Sequence, residues 1–204
     1  MIKNLVFDFG DVFINLDKKA TLNQLQKLGI DEISSEMVYI AEQFEIGTLT
    51  SKEFISRCTI LFPSISENNI KKAWNAILKD FPLYRFDFLK SLAKSKKYRL
   101  FLLSNTNEIH ISWIQKEWGD HLFNEFKSFF EQFYLSHEIH LRKPSEEIYK
   151  FVLNENKLNP EETFFIDDSE ENTRTARDLG IKVWNIDPFH EDVIDLFAQK
   201  DFIS

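Results

Sequence analysis

Five short apolar runs punctuate the chain, and each ends in polar or acidic residues. Asn4-Leu5-Val6-Phe7 leads into Asp8, Arg99-Leu100-Phe101-Leu102-Leu103 into Ser104-Asn105, and Thr163-Phe164-Phe165-Ile166 into Asp167-Asp168. Ile181-Lys182-Val183-Trp184-Asn185-Ile186 leads into Asp187, and Phe133-Tyr134-Leu135-Ser136 is a weaker fifth run. Near-continuous apolar runs of this length suit strands covered on both faces, as in a parallel sheet. The segments between them carry a helical period. Ser145 to Asn156 sets Ile148, Phe151, Val152 and Leu153 behind a Pro144 boundary, and Ser169 to Leu179 stops at Gly180, which fits a C-terminal glycine cap. Such alternation predicts an α/β fold, a Rossmann-like three-layer open parallel sheet with right-handed crossovers.

One stretch breaks the alternation. From about Leu16 to Leu83 there is no convincing strand. Leu22, Leu25 and Leu28 before Gly29 predict one helix, and Glu36 to Phe44 a second. Ser51 to Leu61, with Ser51 as N-cap and Pro63 as stop, predicts a third, and Ser66 to Leu78 a fourth. The expected organisation is a core of residues 1–15 and 84–204 with a four-helix cap, residues 16–83, inserted behind the first strand.

Composition sharpens this picture. Phe occurs 21 times in 204 residues and Gly only five times, which argues against a long glycine-rich phosphate loop and gives each glycine a backbone task. Gly29, Gly119 and Gly180 follow helical runs, Gly47 sits in a turn between cap helices, and Gly10 follows the first strand. The aromatic stretch Leu122 to Phe130 reads as core packing. With 25 basic and 33 acidic residues the formal charge is −8, a balance that disfavours nucleic acid. The densest basic run, Lys94, Lys96, Lys97 and Arg99, reads as a solvated helix end. A lone cysteine, Cys58, allows no internal disulfide and reads as a buried apolar residue in a reducing compartment. No apolar run approaches the about 18 residues that span a bilayer, and the first residues do not read as a signal peptide. A cytoplasmic protein, without membrane or nucleic-acid partners and either monomeric or homodimeric, is the expectation.

Ligands of open α/β sheets bind beyond the carboxyl ends of the strands, where every polar cluster above falls. Asp8, Ser104-Asn105, Asp167-Asp168 and Lys143 are therefore expected to meet in one site. Three carboxylates would repel one another and shift each other's pKa. A hard divalent cation such as Mg²⁺ relieves that repulsion and prefers oxygen ligands. Lys143 and Ser104 then suit an anionic group with several oxygens, such as a phosphoryl group. An Asp facing that group can act as nucleophile and form an aspartyl-phosphate.

In order along the chain, Asp8-Phe9-Gly10-Asp11-Val12, Leu103-Ser104-Asn105-Thr106-Asn107, Arg142-Lys143-Pro144 and Asp167-Asp168-Ser169-Glu170-Glu171-Asn172 resemble the four motifs of the haloacid dehalogenase-like (HAD) phosphohydrolase superfamily. The helical insertion is similar to the small cap of its subfamily I. Leu-Ser-Asn-Thr-Asn, Tyr-Leu-Ser-His and Leu-Arg-Lys-Pro-Ser-Glu-Glu-Ile-Tyr resemble the branch with bacterial α-D-glucose-1-phosphate phosphatases. The resemblance implies a Mg²⁺-dependent phosphatase for a small phosphorylated metabolite, a sugar phosphate such as a sugar 1-phosphate. It implies Asp8 as nucleophile and metal ligand, the Gly10 backbone carbonyl and Asp168 as further metal ligands, and Ser104 with the Asn105 backbone on the phosphoryl oxygens. Lys143 would neutralise nucleophile and phosphoryl group. Asp167 holds the place often filled by Gly, and Asn172 would orient a metal-bound water or Asp168. The cap segment Glu42 to Gly47 resembles a turn that faces the active site. Thr106 and Asn107 either reach the substrate or cap the following helix, and His137 and His140 either line the pocket or are structural.

The pattern departs from many members at Gly10, where a second Asp usually protonates the leaving oxygen. Asp11 lies one residue too late, and its side chain is expected to point elsewhere. An anomeric oxygen needs less acid assistance, so the departure fits sugar 1-phosphates. Two other readings compete. One is a metal-free 2-haloacid dehalogenase, against which the Asp167-Asp168 pair argues. The other is a catalytically weak HAD-fold binding or regulatory protein, supported by Gly10 alone.

Overall fold

The computed structural model describes residues 1–199 and 202. All five apolar runs form strands: β1 (Asn4–Phe7), β2 (Arg99–Ser104), β3 (Gln132–Leu135), β4 (Thr163–Asp167) and β5 (Lys182–Asn185). They lie in the order β3-β2-β1-β4-β5, and every neighbouring pair is parallel. The helices are α1 (Ala20–Lys27), α2 (Ser35–Glu45), α3 (Ser51–Leu61), α4 (Glu67–Asn75), α5 (Leu83–Ser95), α6 (Glu108–Trp118), α7 (Asp120–Ser128), α8 (Ser136–Ile139), α9 (Glu146–Asn156) and α10 (Glu170–Asp178).

Alternate strand residues serve opposite faces of the sheet, and this produces the three layers. Leu5, Phe7, Leu100, Leu102, Phe164 and Ile166 pack with Leu89 of α5, Ile114 of α6 and Phe126 of α7. Val6, Phe101, Leu103, Phe165 and Val183 pack on the other face with Ile148, Tyr149 and Val152 of α9 and Ala176 of α10. The predicted aromatic packing is present: Phe123, Phe126 and Phe130 are buried, and the Phe126 ring lies 5.5 Å from Phe9 and 5.3 Å from Phe13.

Helices α1 to α4 bury a core of their own, in which Phe44 stacks on Phe54 at 4.3 Å with Trp74 at 4.7 Å from Phe54. Cys58 belongs to this cluster, and burial pushes its thiol up to about 11, which leaves it an inert packing residue. The chain enters and leaves the four-helix segment side by side. Asn15 N–H donates to Asp80 O (2.9 Å), Lys79 N–H to Asn15 O (2.9 Å) and Asp17 N–H to Ile77 O (2.8 Å). Among the described residues no helix is long and apolar enough to cross a membrane.

Several local expectations need correction. The N-cap of α3 is Thr50, not Ser51: Thr50 and Glu53 form a reciprocal capping box that satisfies two otherwise unpaired N–H groups. The fourth helix stops at Asn75 because Leu78 pairs with Leu16 in the connection. The basic run is divided: Lys94, Lys96 and Lys97 are exposed at the end of α5, whereas Arg99 opens β2 and pairs with Glu131. Ser136 lies beyond β3 and starts α8.

Candidate active site

Strand β1 occupies the centre of the sheet, so the residue that follows it stands mid-edge. Phe7 is level with Leu102 on one side and Ile166 on the other. Asp8 continues the ladder by donating its N–H to Ile166 O at 2.8 Å. The strand ends therefore bring Asp8, Ser104 and Asp167 to one rim. Carboxylate oxygens of Asp8, Asp167 and Asp168 all lie within 4.8 Å of one another.

Lys143 supplies the cation among them. It is 1% exposed, and its Nζ donates to Asp167 Oδ2 (2.6 Å), Asp8 Oδ1 (2.8 Å) and the Leu103 carbonyl (2.8 Å). Three donors meet three acceptors, so the buried ammonium is fully satisfied. Burial alone would lower its pKa, but Asp167 and Asp8 outweigh that and hold it above the ordinary lysine value. Asn105 fixes the lysine's backbone: Lys143 N–H donates to Asn105 Oδ1 (2.9 Å), and Asn105 Nδ2 donates back to Lys143 O (2.8 Å). That clamp is a task of the Asn105 side chain which sequence reasoning missed.

The two motif-four acids divide their work. Asp167 is fully buried and takes Lys143, the Ser169 N–H (2.8 Å to Oδ1) and the Asn172 amide (3.0 and 3.1 Å). Asn172 thus orients Asp167, where the resemblance implied a metal-bound water or Asp168. Asp168 keeps 11% of its side chain exposed and pairs with Lys18, a residue without any local sequence signal. Asn185 Nδ2 donates to the Asp168 carbonyl at 3.0 Å and braces the loop.

Net charge in this pocket is negative. Burial, with Asp167 and Asp168 nearby, pushes Asp8 up to about 7 even though Lys143 pulls it down. Burial likewise raises Asp168 despite Lys18. Clustered carboxylates on hard oxygen donors, strained against ionisation, fit a small divalent cation such as Mg²⁺. Asp8 and Asp168 would hold it with the Gly10 carbonyl.

Gly10 is packed, not spare. A Cβ built there would meet Leu16 Cδ1 at 2.6 Å, so the end of the half-buried Leu16 side chain occupies the space beside Gly10. Asp11 has φ +54°, accepts from Leu16 N–H at 2.9 Å and pairs with Lys18 at 3.1 Å. Its carboxylate faces the connection to the helical segment, in line with the expectation that it points elsewhere. Asn107 caps α6 by accepting from His110 N–H at 3.1 Å. Thr106 N–H donates to the fully buried Ser136 hydroxyl at 2.9 Å.

The four-helix segment covers this rim. Arg142, beside Lys143, pairs with Glu42 (3.2 Å) and Glu45 (3.1 Å) of α2. The next turn lies on α8: His140 Nδ1 donates to Ile46 O at 2.9 Å, and a Cβ on Gly47 would come within 2.0 Å of His137 O. At the other end Trp74 Nε1 donates to Asn107 Oδ1 (3.3 Å), and the His110 Nε2–H donates to Trp74 O (3.2 Å). His137 and His140 thus lie against the turn of the helical segment at Ile46 and Gly47.

The sequence matches a family model described as haloacid dehalogenase-like hydrolase over residues 5–186. It is 29% identical to a D-ribitol-5-phosphate phosphatase of Bacteroides thetaiotaomicron over 90% of this chain and 91% of that protein. A HAD family enzyme from the same organism, solved as a magnesium complex, is 38% identical with a TM-score of 0.86, covering 97% of this chain and 99% of that one. The same enzyme with magnesium and inorganic phosphate superposes with a TM-score of 0.84, at 38% identity, covering 97% of this chain and 100% of that one. Sheet order, carboxylate rim and sequence agree: the chain belongs to the haloacid dehalogenase-like hydrolase family.

Proposed function

We propose that this hydrolase is a Mg²⁺-dependent phosphomonoesterase for a small sugar or sugar-alcohol phosphate, working through an aspartyl-phosphate on Asp8. The observation that carries the reading is the buried lysine shared by Asp8 and Asp167 next to a third carboxylate, Asp168. The relatives named above, a phosphatase and an enzyme that holds magnesium with phosphate, support it.

Asp8 Oδ attacks phosphorus, an Oδ–P bond forms, the P–O ester bond breaks, and the ester oxygen departs with its electron pair and takes a proton from water. Lys143 balances charge on the nucleophile and the incoming phosphoryl group, while the Ser104 hydroxyl donates to a phosphoryl oxygen. Asp8, Asp168 and the Gly10 carbonyl would hold Mg²⁺, which would supply positive charge favouring ionised Asp8 and offsetting charge on the phosphoryl oxygens. Water then hydrolyses the acyl-phosphate and frees Asp8. The helices of residues 16–83 act as the cap, which excludes bulk water from that intermediate.

With Gly at position 10 and the Asp11 carboxylate taken up by Leu16 N–H and Lys18, neither residue offers an acid to the leaving oxygen. General acid help is typically worth about 10²–10⁴ in rate, so good leaving groups gain most. Sugar 1-phosphates therefore form the finer part of the proposal. The relative's named substrate, ribitol 5-phosphate, is an ordinary alkyl ester and marks the competing substrate class. A panel of sugar 1-phosphates, sugar and alditol 5- and 6-phosphates and aryl phosphates, run with wild type and Asp8→Asn and with or without chelator, decides. Turnover that needs both Asp8 and Mg²⁺ supports the proposal, and equal kcat/KM across leaving groups removes its finer part. No turnover of any ester would favour the binding-protein reading, which the glycine at position 10 also supports.

A further inference from the structure

Residues 15–19 join the cap to the core through the paired backbone of Asn15, Asp17 and Lys79 described above. From the middle of this hinge the Lys18 side chain reaches back into the site. Its ammonium bridges Asp11 Oδ2 at 3.1 Å and Asp168 Oδ2. A cation carried by the hinge thus sits on the carboxylate that the proposed metal site needs.

We propose that Lys18 is a positioning residue that holds Asp168 until Mg²⁺ takes it, so that metal loading releases one anchor of the hinge. The inference rests on the metal site proposed above. An ammonium on Asp168 Oδ2 and a dication on the same carboxylate, whichever oxygen it takes, lie close enough to repel each other. Asp11 gives the displaced lysine somewhere to stay. Its backbone, at φ +54°, and the Leu16 N–H bond turn its carboxylate toward the hinge. Because coupling between two equilibria is reciprocal, a weaker Lys18 contact tightens Mg²⁺, and Mg²⁺ loosens residues 15–19 and 76–80.

The test is calorimetric titration of Mg²⁺ into wild type, Lys18→Met, Lys19→Met and Asp168→Asn, with amide hydrogen exchange of the two hinge segments. Lys18→Met should bind Mg²⁺ about two- to fivefold more tightly, the range of a partly exposed ion pair, and Lys19→Met should match wild type. Mg²⁺ should speed hinge exchange in wild type, and exchange in Lys18→Met should already be fast without metal. Equal tightening in both lysine variants reduces the effect to general charge and overturns the coupling, as does hinge exchange indifferent to Mg²⁺. A wild type that binds no Mg²⁺, or an Asp168→Asn variant that binds as well as wild type, instead overturns the metal site itself.

Discussion

Replacing Lys143 by Met is the most revealing perturbation of the site. The side chain is 1% exposed and spends its three N–H groups on Asp167, Asp8 and the Leu103 carbonyl. Met keeps most of the volume and removes the charge, leaving two carboxylates and a carbonyl facing a dry space. Breaking a buried ion pair by deleting one partner costs about 3–5 kcal/mol. With a urea slope of about 2–3 kcal/mol per M, the unfolding midpoint should fall by roughly 1–2 M. The deficit should also depend on pH. Asp8 already sits at about 7 with the lysine in place, and without it the carboxyl rises further. A carboxyl raised above its unfolded value keeps its full stability below that value and loses it as pH climbs through the folded pKa. Both chains lose stability alike up to about pH 7 and only the variant goes on losing it above, so the gap should stay level at pH 5–6 and widen above about pH 7. Urea melts at several pH values, with and without Mg²⁺, measure this, and Mg²⁺ should return part of the loss. A midpoint close to wild type, or a gap that ignores pH, refutes the view of Lys143 as the counter-charge of a buried carboxylate pair.

Other consequences follow from neighbouring contacts. Gly10→Asp needs only the end of the Leu16 side chain to turn aside and should raise kcat/KM on alkyl phosphates by about tenfold or more, with Gly10→Asp/Leu16→Ala at least as active; no gain in either variant refutes the leaving-group argument. Burial lowers His110 to about 4, so below its unfolded value near 6.5 the unfolded chain takes up a proton that the folded chain refuses. Wild type should lose up to about 3 kcal/mol between pH 6.5 and 4 through this residue, and His110→Phe should narrow its stability gap to wild type over that range. Gly47→Ala adds a methyl 2.0 Å from His137 O at a φ of +72°, so it should expose the cap turn to limited proteolysis and lower kcat/KM while the Asp8–Lys143 core stays folded.

The fold was legible because its strands are short, doubly buried runs whose apolar residues fill both faces. Phe164 and Phe165 pack on opposite sides, and no alternation was needed to find the strand. The carboxylates were legible because each follows such a run directly. What stayed hidden depends on contacts between distant segments. Lys18 meets Asp168 across 150 positions, and Arg142 meets Glu42 across 100. Nothing in their neighbours marks them. Asn172 shows a subtler limit. One helical turn from the acid pair, it could serve either residue, and the Ser169 cap of α10 turns it to Asp167. Thr50 displaced Ser51 as N-cap because Glu53 lies three residues after Thr50 and completes the reciprocal box.

The central claim is that Asp8 carries the phosphoryl group. Rapid acid quench of wild type with Mg²⁺ and its best phosphoester, followed by mass spectrometry of the peptide spanning β1, tests it directly. The account predicts one phosphoryl group on Asp8 during turnover, lost on treatment with hydroxylamine and absent from Asp8→Asn. Full turnover by Asp8→Asn, or a phosphoryl group found on another residue in its place, contradicts it.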